Sequence, residues 1–158
     1  HPEVKLIIAP HVIDENHLVE IIRKLKRPYV RYTRADEKNV RKADCLIIDC
    51  FGLLSSIYRY GEIAYIGGGF GVGIHNTLEA AVYGIPVIFG PKYQKFREAI
   101  HLLEAKGGFS IKSYEELKIL LDRMLGDEDF LREAGKNAGA YVTDNAGTTD
   151  KVLGMINF

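Results

Sequence analysis

Short apolar runs alternate with amphipathic segments along the whole chain. The runs are rich in β-branched residues, as buried strands are. Between them, apolar residues recur at helical spacing, as in the segment that Asp14 opens, where Leu18, Ile21, Ile22 and Leu25 share one face. We predict strands at residues 4–9, 29–31, 45–48, 63–66, 86–89 and 109–111, and helices at 14–25, 52–60, 76–83, 94–105, after Ser113, after Asp127 and at 148–156.

This alternation predicts the fold class. Strands separated by helical segments form right-handed βαβ crossovers and a parallel sheet. We therefore expect an α/β protein with a Rossmann-like, doubly wound parallel sheet. The helix after Ser113 has a capping-box pattern with Glu116 and an inward face. The predicted inward residues of that helix are Leu117, Leu120, Leu121 and Met124.

Length and composition suit one domain spanning residues 1–158. Hydrophobic residues make up 47% and charged residues 27%, which is ordinary for a globular protein. No apolar run approaches the roughly 18 residues of a membrane-spanning helix. The chain opens with His1-Pro2 rather than Met, without a signal peptide, so we expect it to be a piece of a longer protein.

The formal net charge is zero, but residues 23–42 are strongly basic. They form either a solvated helix face and loop or a surface that faces phosphate on a substrate or a membrane. The aromatic interleaving of a base-stacking platform is not evident, so no nucleic-acid partner is expected. Cys45 and Cys50 fit neither zinc nor redox spacing and are expected to be buried, reduced thiols. The basic residues are Arg23, Lys24, Lys26, Arg27, Arg31, Arg34, Lys38, Arg41 and Lys42.

The segment most suggestive of chemistry is the glycine-rich loop at residues 67–76, which follows the fourth predicted strand. Five of its first seven residues are glycine, so its backbone can approach a ligand closely. Asn76 is a good N-cap for the next helix, whose free N–H groups would suit a phosphate. No dinucleotide or Walker-type glycine motif is present. The alternatives are a flexible surface loop and close packing of helix on strand.

Three other polar features have both structural and functional interpretations. Glu79 either completes a capping box with Asn76 or accepts hydrogen bonds from a ribose diol. His75 is either a donor to phosphate or sugar or a turn residue. Asp127 and Asp129 need only the helix dipole to explain them, so no metal site is expected. No combination of a nucleophile and a base is evident.

Residues 67–91, GGGFGVGIHNTLEAAVYGIPVIFGP, resemble a segment of the 3-deoxy-D-manno-octulosonic acid (Kdo) transferases. The similarity lies in the glycine-rich loop, the H-N-x-x-E helix and the G-x-P-V-x-x-G-P turn. It extends to Ile8-Ala9-Pro10-His11, to Gly52-Leu53-Leu54 with Tyr58, and to Phe96-Arg97-Glu98. The resemblance covers essentially the whole chain, as the C-terminal half of a GT-B glycosyltransferase.

The resemblance implies a donor-binding domain for CMP-Kdo. Kdo would pass to a lipid A precursor in lipopolysaccharide biosynthesis, at the cytoplasmic face of the inner membrane, without metal or cofactor. The catalytic carboxylate would lie in the N-terminal domain of the same polypeptide, so this chain holds no catalytic residue and is expected to be inactive alone. An anionic membrane surface is a further expected partner.

The resemblance also implies a set of donor-binding residues. Asn76 and the loop would hold the phosphate and Glu79 the ribose. The Arg31–Thr33 loop would lie near the base, and His11 and Gly52 would line the cleft. Pro10 and Leu53 replace the usual Arg and Glu of the family, so those two contacts are not carried over. The predicted donor-binding residues are His11, Arg31, Thr33, Gly52, Gly69, Gly71, Gly73, His75, Asn76 and Glu79.

Two other functions stay open from the sequence. One is another GT-B enzyme or an epimerase that uses a UDP-sugar. The other is a non-catalytic module whose basic segment binds an anionic partner.

Overall fold

A computed structural model describes residues 1–147 of the chain. They divide into two compact units, His1–Ile57 and the part that begins at Tyr58. Each unit contains one parallel three-stranded sheet, in the orders β1-β3-β2 and β4-β5-β6.

The first unit is built around its central strand, β3. Strands β1 and β2 both pair with β3 in parallel, with Ile8 and Arg31 each opposite Ile47. The elements are β1 (Leu6–Ile8), α1 (Glu15–Lys24), β2 (Tyr29–Arg31), a 3-10 turn (Tyr32–Arg34), α2 (Glu37–Val40), β3 (Cys45–Ile47) and α3 (Leu54–Ile57).

Helix α1 covers one face of this sheet. Asp14 caps it by accepting the His17 N–H, and Leu18 is buried against Cys45 and Ile47 of β3. Ile21, Ile22 and Leu25 pack against the same cluster, so the predicted apolar face is confirmed.

The second unit has a sheet covered on both faces. Its central strand β5 is fully buried, and its alternate residues point to opposite sides. Val87 and Phe89 join one apolar cluster, and Ile88 joins another with Met124 of α6. The elements are a 3-10 turn (Tyr58–Tyr60), β4 (Ala64–Ile66), α4 (Leu78–Ala81), β5 (Val87–Phe89), α5 (Arg97–Glu104), β6 (Gly108–Ser110), α6 (Tyr114–Gly126) and α7 (Glu128–Asp144).

Helix α7 closes the second unit through very close contacts. Ala138 belongs to the cluster that holds Ala81 and Leu102. A Cβ added at Gly135 would lie 2.3 Å from the carbonyl oxygen of Gly84, and one at Gly107 would lie 2.4 Å from the Ala138 nitrogen. Small residues at these positions let the helix lie directly on the turns that follow α4 and α5.

The α/β fold and the parallel pairing agree with the sequence prediction, and all six strands form close to the predicted positions. Among the described residues, the strands are hydrogen-bonded as two sets of three rather than as one continuous sheet. The helix predicted at 52–60 is a single turn followed by a 3-10 turn. Cys45 is buried as expected, whereas Cys50 is only half-buried. The helix predicted at 148–156 lies outside the described residues.

Candidate functional site

The glycine-rich loop after β4 folds back on itself. The N–H groups of Gly71 and Gly73 both donate to the Gly68 carbonyl, at 2.8 and 3.3 Å. Gly68 has a φ of +87°, and a Cβ there would lie 2.2 Å from the Gly73 oxygen. Only glycine fits that position without displacing the loop.

The loop is also anchored to the segment that follows β5. Gly69 lies against Gly90, with 2.6 Å between a Cβ added at Gly69 and the Gly90 backbone. Lys92 donates from its backbone N–H to the Gly69 oxygen at 3.0 Å and from Nζ to the Gly71 oxygen at 2.7 Å. The contacts favour close packing over a flexible surface loop. A Cβ at Gly71 would meet nothing nearer than the Gly68 oxygen, at 3.4 Å, so packing alone does not require glycine there.

Asn76 and Glu79 contact each other at the end of the loop. Asn76 Oδ1 accepts the Leu78 N–H at 2.9 Å, and Asn76 Nδ2 donates to Glu79 Oε1 at 3.0 Å. Helix α4 begins at Leu78 with Thr77 at the cap position, not at Asn76 as predicted. The predicted capping box is also wrong in its detail, because Glu79 accepts a hydrogen bond from the Asn76 side chain and not from the Asn76 backbone N–H.

A cavity of about 420 Å³ lies beside this segment. Two of the predicted site residues, His75 and Asn76, line it together with Phe96 and Glu98 from the start of α5, whereas Glu79 and the loop glycines are not among its lining residues. The Phe96–Glu98 segment carries part of the family resemblance but was not predicted to lie at the site. A second cavity, of about 500 Å³, lies between β6 and α6 and contains none of the predicted residues. We favour the smaller cavity as a ligand site because two polar residues at the end of the loop, His75 and Asn76, line it.

In the first unit, the predicted residues follow the carboxyl ends of the three strands. This is the edge where ligands bind in open α/β sheets. His11 follows β1, Arg31 and Thr33 lie at the end of β2, and Gly52 follows β3. His11 and Gly52 are both exposed.

Arg31 and Thr33 are held by a residue that the site prediction missed, Asp49. Its side chain is only 1% exposed. Asp49 Oδ2 accepts Arg31 Nε at 2.8 Å and the Thr33 hydroxyl at 2.6 Å, and Oδ1 accepts the Thr33 N–H at 2.9 Å. Glu15 accepts two further bonds from Arg31 Nη1. An acidic residue directly after the apolar run 45–48 was the sequence sign of this arrangement.

The hydrogen bonds determine the ionisation of Asp49. Burial opposes the charged form, but the bonds from Thr33 and Arg31 outweigh it and lower the pKa of Asp49 from 3.8 to about 2. The bonds from Arg31 to Asp49 and Glu15 raise the pKa of Arg31. Asp49 is therefore ionised at neutral pH, and its carboxylate orients the end of β2.

The acidic pair near α7 has local partners. Asp127 caps the helix by accepting the Phe130 N–H at 2.9 Å, and Asp129 pairs with Arg132. These contacts agree with the structural interpretation of the pair. Separately, none of the helices in residues 1–147 is long and apolar enough to cross a membrane.

Solved structures with similar folds define the class of protein. The C-terminal CMP-Kdo binding domain of WaaA from Acinetobacter baumannii superposes with a TM-score of 0.64 at 19% identity, covering 83% of this chain and 72% of that one. Sucrose-phosphate synthase from Thermosynechococcus elongatus superposes with a TM-score of 0.57 at 15% identity, over 98% of this chain and 44% of that one. The fold is the Rossmann-like α/β fold of one half of a GT-B glycosyltransferase.

Sequence comparison finds several relatives of this chain. The 3-deoxy-D-manno-octulosonic acid transferase of Aquifex aeolicus is 35% identical over 127 residues, which are 79% of this chain and 35% of that protein. The enzyme of the same name from Rickettsia bellii is 34% identical over 72% of this chain and 28% of its own length. A bifunctional glycosyltransferase/methyltransferase of Fusobacterium nucleatum is 32% identical over 70% of this chain. No protein-family model matches the chain.

The chain is thus related in sequence to a part of the Kdo transferases, and the predicted resemblance to these enzymes is confirmed. It spans about a third of the length of these curated relatives.

Proposed function

We propose that this chain is the donor-binding part of a glycosyltransferase that transfers Kdo from CMP-Kdo to a lipid A precursor in lipopolysaccharide biosynthesis. The observation that carries the proposal is the sequence similarity between this chain and parts of the Kdo transferases of Aquifex aeolicus and Rickettsia bellii. The anchored glycine loop, with its adjacent cavity, supports a nucleotide site in the same segment.

The phosphate of CMP would bind where the loop meets α4. The N–H groups of Asn76, Thr77 and Glu79 make no hydrogen bond to another described residue. These three backbone donors lie at the start of α4, and two of their residues, Asn76 and Thr77, line the 420 Å³ cavity, which suits a phosphate group. They need no divalent metal to do so, and we include metal-independent binding in the proposal.

The ribose would bind the carboxylate of Glu79. Its Oε1 already accepts the Asn76 amide at 3.0 Å, which fixes the side chain and leaves Oε2 for the sugar hydroxyls. Burial and the Glu79 charge both raise the pKa of Tyr58, so the carboxylate lies within electrostatic reach of that phenol. The bond from Asn76 orients the carboxylate before the nucleotide arrives.

The remaining parts of the reaction belong to the longer protein. The catalytic carboxylate and the acceptor site would lie in an N-terminal domain of the same polypeptide, so residues 1–158 alone are proposed to be inactive. The complete enzyme would act at the cytoplasmic face of the inner membrane, where its lipid-linked acceptor is found.

The proposal is tested by the thermal stability of the purified chain with cytidine and uridine nucleotides. A ligand that binds only the folded state stabilises it by RT ln(1 + [L]/Kd) and so raises the melting temperature. We expect CMP to raise Tm and UDP or UMP at the same concentration to leave it nearly unchanged. A larger rise with UDP would point to a UDP-sugar enzyme instead, and no rise with either would contradict nucleotide binding.

A further inference from the structure

The 420 Å³ cavity beside the glycine loop includes only part of the proposed nucleotide site. Asn76 and Thr77, whose N–H groups we assign to the phosphate, line it, whereas Glu79, which we assign to the ribose, does not. In a nucleotide-sugar the phosphate joins the ribose to the sugar, so these two groups extend from it in different directions. The volume is within the range of roughly 300–1,000 Å³ that is usual for ligand pockets. The cavity is therefore suited to the sugar half of a donor and not to its nucleoside half.

Thr77 contributes a hydroxyl group to this cavity. The residue is only 3% exposed, and it occupies the cap position of α4 without a side-chain cap bond. Its hydroxyl forms no hydrogen bond with a described residue. A hydroxyl that is largely removed from bulk water and lacks a protein partner is stabilised by a ligand that hydrogen-bonds to it. The chemistry of Thr77 thus favours a ligand with polar oxygens in the cavity.

Glu98 brings a carboxylate to the same cavity from a different segment of the chain. It lies in the first turn of α5 and forms no hydrogen bond or ion pair with a described residue. The helix dipole accounts for an acid in this turn, but it does not account for the place of Glu98 on the cavity wall. An ionised carboxylate is purely an acceptor with room for several O–H donors. A sugar supplies such donors, whereas the phosphodiester of a nucleotide-sugar has none.

Phe96 gives the cavity an aromatic wall. Its ring packs against the glycine loop, since a Cβ added at Gly73 would lie 3.0 Å from two of the ring atoms. The same side chain packs against the apolar cluster that contains Phe89 and Leu102. A sugar ring carries C–H groups on its faces and hydroxyl groups at its rim. An aromatic wall next to a carboxylate and a hydroxyl matches that distribution of apolar and polar groups.

We propose that this cavity binds the Kdo sugar of the donor and that Thr77 and Glu98 form hydrogen bonds with its hydroxyl groups. The inference rests on the proposed function, because the phosphate site at the start of α4 determines where the sugar begins. Kdo is a sugar acid whose carboxylate lies next to the carbon that is bonded to the phosphate. That carboxylate and Glu98 repel each other, so the hydroxyl groups of the sugar face Glu98. Glu98 thereby orients the sugar as well as binding it.

The test is isothermal titration of the 158-residue chain with CMP and with freshly prepared CMP-Kdo. The parent should bind both ligands. Glu98→Gln removes a charged acceptor and should weaken CMP-Kdo binding roughly tenfold. The same variant should bind CMP as tightly as the parent or slightly more tightly, because CMP lacks the sugar and one negative charge near the phosphate is removed.

The matched control for Glu98 is Glu115→Gln. Glu115, like Glu98, is an exposed acid in the first turn of a helix, but it lies on α6 and lines neither of the two cavities. Its substitution removes the same charge from the same kind of helix position. We therefore expect Glu115→Gln to bind CMP and CMP-Kdo with the affinities of the parent.

Thr77→Val is the second variant. It removes the hydroxyl with little change of shape, so the melting temperature of the free protein should be unchanged or higher. Loss of a hydrogen bond to the sugar should weaken CMP-Kdo binding about fivefold. The affinity for CMP should stay that of the parent, because the backbone N–H groups that we assign to the phosphate are retained.

The outcomes separate the sugar site from the nucleotide site. An unchanged CMP-Kdo affinity in either variant, or an equal loss of affinity for CMP and CMP-Kdo, would overturn the sugar site. A parent that binds CMP but not CMP-Kdo would also overturn it, and would leave the nucleotide site intact. A parent that binds neither ligand would contradict the proposed function itself.

Discussion

Gly69 and Gly90 lie back to back where the glycine loop meets the end of β5. A Cβ on either residue would lie 2.6 Å from the backbone of the other, closer than real Cβ contacts occur. We therefore expect Gly90→Ala to destabilise the protein by about 1–3 kcal/mol, the usual cost of overpacking. Urea denaturation measures this, with Gly126→Ala as the control, because nothing lies within 4 Å of a Cβ there. Equal stability of the two variants would contradict the close contact.

A substitution at Gly71 tests the approach of a ligand to the loop without disturbing the packing of the loop. It has space for a methyl group and no positive φ, so Gly71→Ala should change the free energy of unfolding by less than about 0.5 kcal/mol. If the backbone here lies against the nucleotide, the added methyl should weaken CMP binding severalfold. Isothermal titration of the variant and parent decides the point. Unchanged affinity would mean that the phosphate contacts the loop elsewhere.

Glu79 can be tested by a single change of charge. Glu79→Gln keeps an oxygen for the Asn76 amide, so the unfolding free energy should stay within about 0.5 kcal/mol of the parent. Hydrogen bonds to a charged group are worth about 1.5–3 kcal/mol, so CMP affinity should fall roughly tenfold or more. Asn76→Ala is the contrasting variant, since it removes the bond to the Leu78 N–H and should cost about 1 kcal/mol of stability. Glu79→Gln with unchanged CMP affinity would leave Glu79 a purely structural residue.

The ionisation of Asp49 makes the free energy of unfolding depend on pH. Its pKa falls from 3.8 to about 2 on folding, so its contribution is complete above about pH 4 and is lost as the pH falls through about 2. The full contribution is about 2 kcal/mol. Asp49→Asn should be less stable than the parent by at least that amount at about pH 7, and the gap should narrow towards pH 2. Denaturation curves across this range, with Asp129→Asn as an exposed control, provide the measurement. A constant gap would show that ionisation of Asp49 is not involved.

Metal independence of nucleotide binding is tested by chelation. If the backbone donors of residues 76–79 hold the phosphate, CMP should bind equally well in excess EDTA and in magnesium. Titration calorimetry under both conditions compares the affinities directly. Binding that disappears in EDTA and returns with magnesium would reject the backbone-donor arrangement.

The elements that the sequence predicted well are those set by local chemistry. Asp14 and Ser113 each cap a helix as predicted, because a short polar side chain before an apolar periodic segment readily accepts the free N–H groups of the helix start. The predicted start of α4 was wrong by two residues, because Thr77 takes the cap position without a side-chain cap bond, although the Asn76 side chain accepts the Leu78 N–H as a capping residue would. Boundaries of this kind depend on hydrogen bonds that spacing alone does not reveal.

The contacts of the candidate site likewise divide into those between residues close in sequence and those between residues far apart. Loop glycines and the Asn76–Glu79 pair are close in sequence, and their association could be predicted. The contact between Asp49 and Arg31 joins residues 18 apart across two paired strands, so it depends on the register of β2 and β3. The packing of Gly69 on Gly90 likewise depends on how two loops end at one sheet edge. Such contacts follow from the folded sheet and not from any local pattern.

The close packing of α7 has a consequence for how the chain is made. The turns at Gly84 and Gly107 and the buried residues Ala81 and Leu102 pack against a helix that ends at Asp144. During synthesis, the segment that contains the glycine loop therefore leaves the ribosome well before its own core can close. The first unit has no such delay, since its cluster around Leu18 needs nothing beyond Ile47. The two units should thus become folded in sequence, with the glycine loop among the last parts to gain its final support.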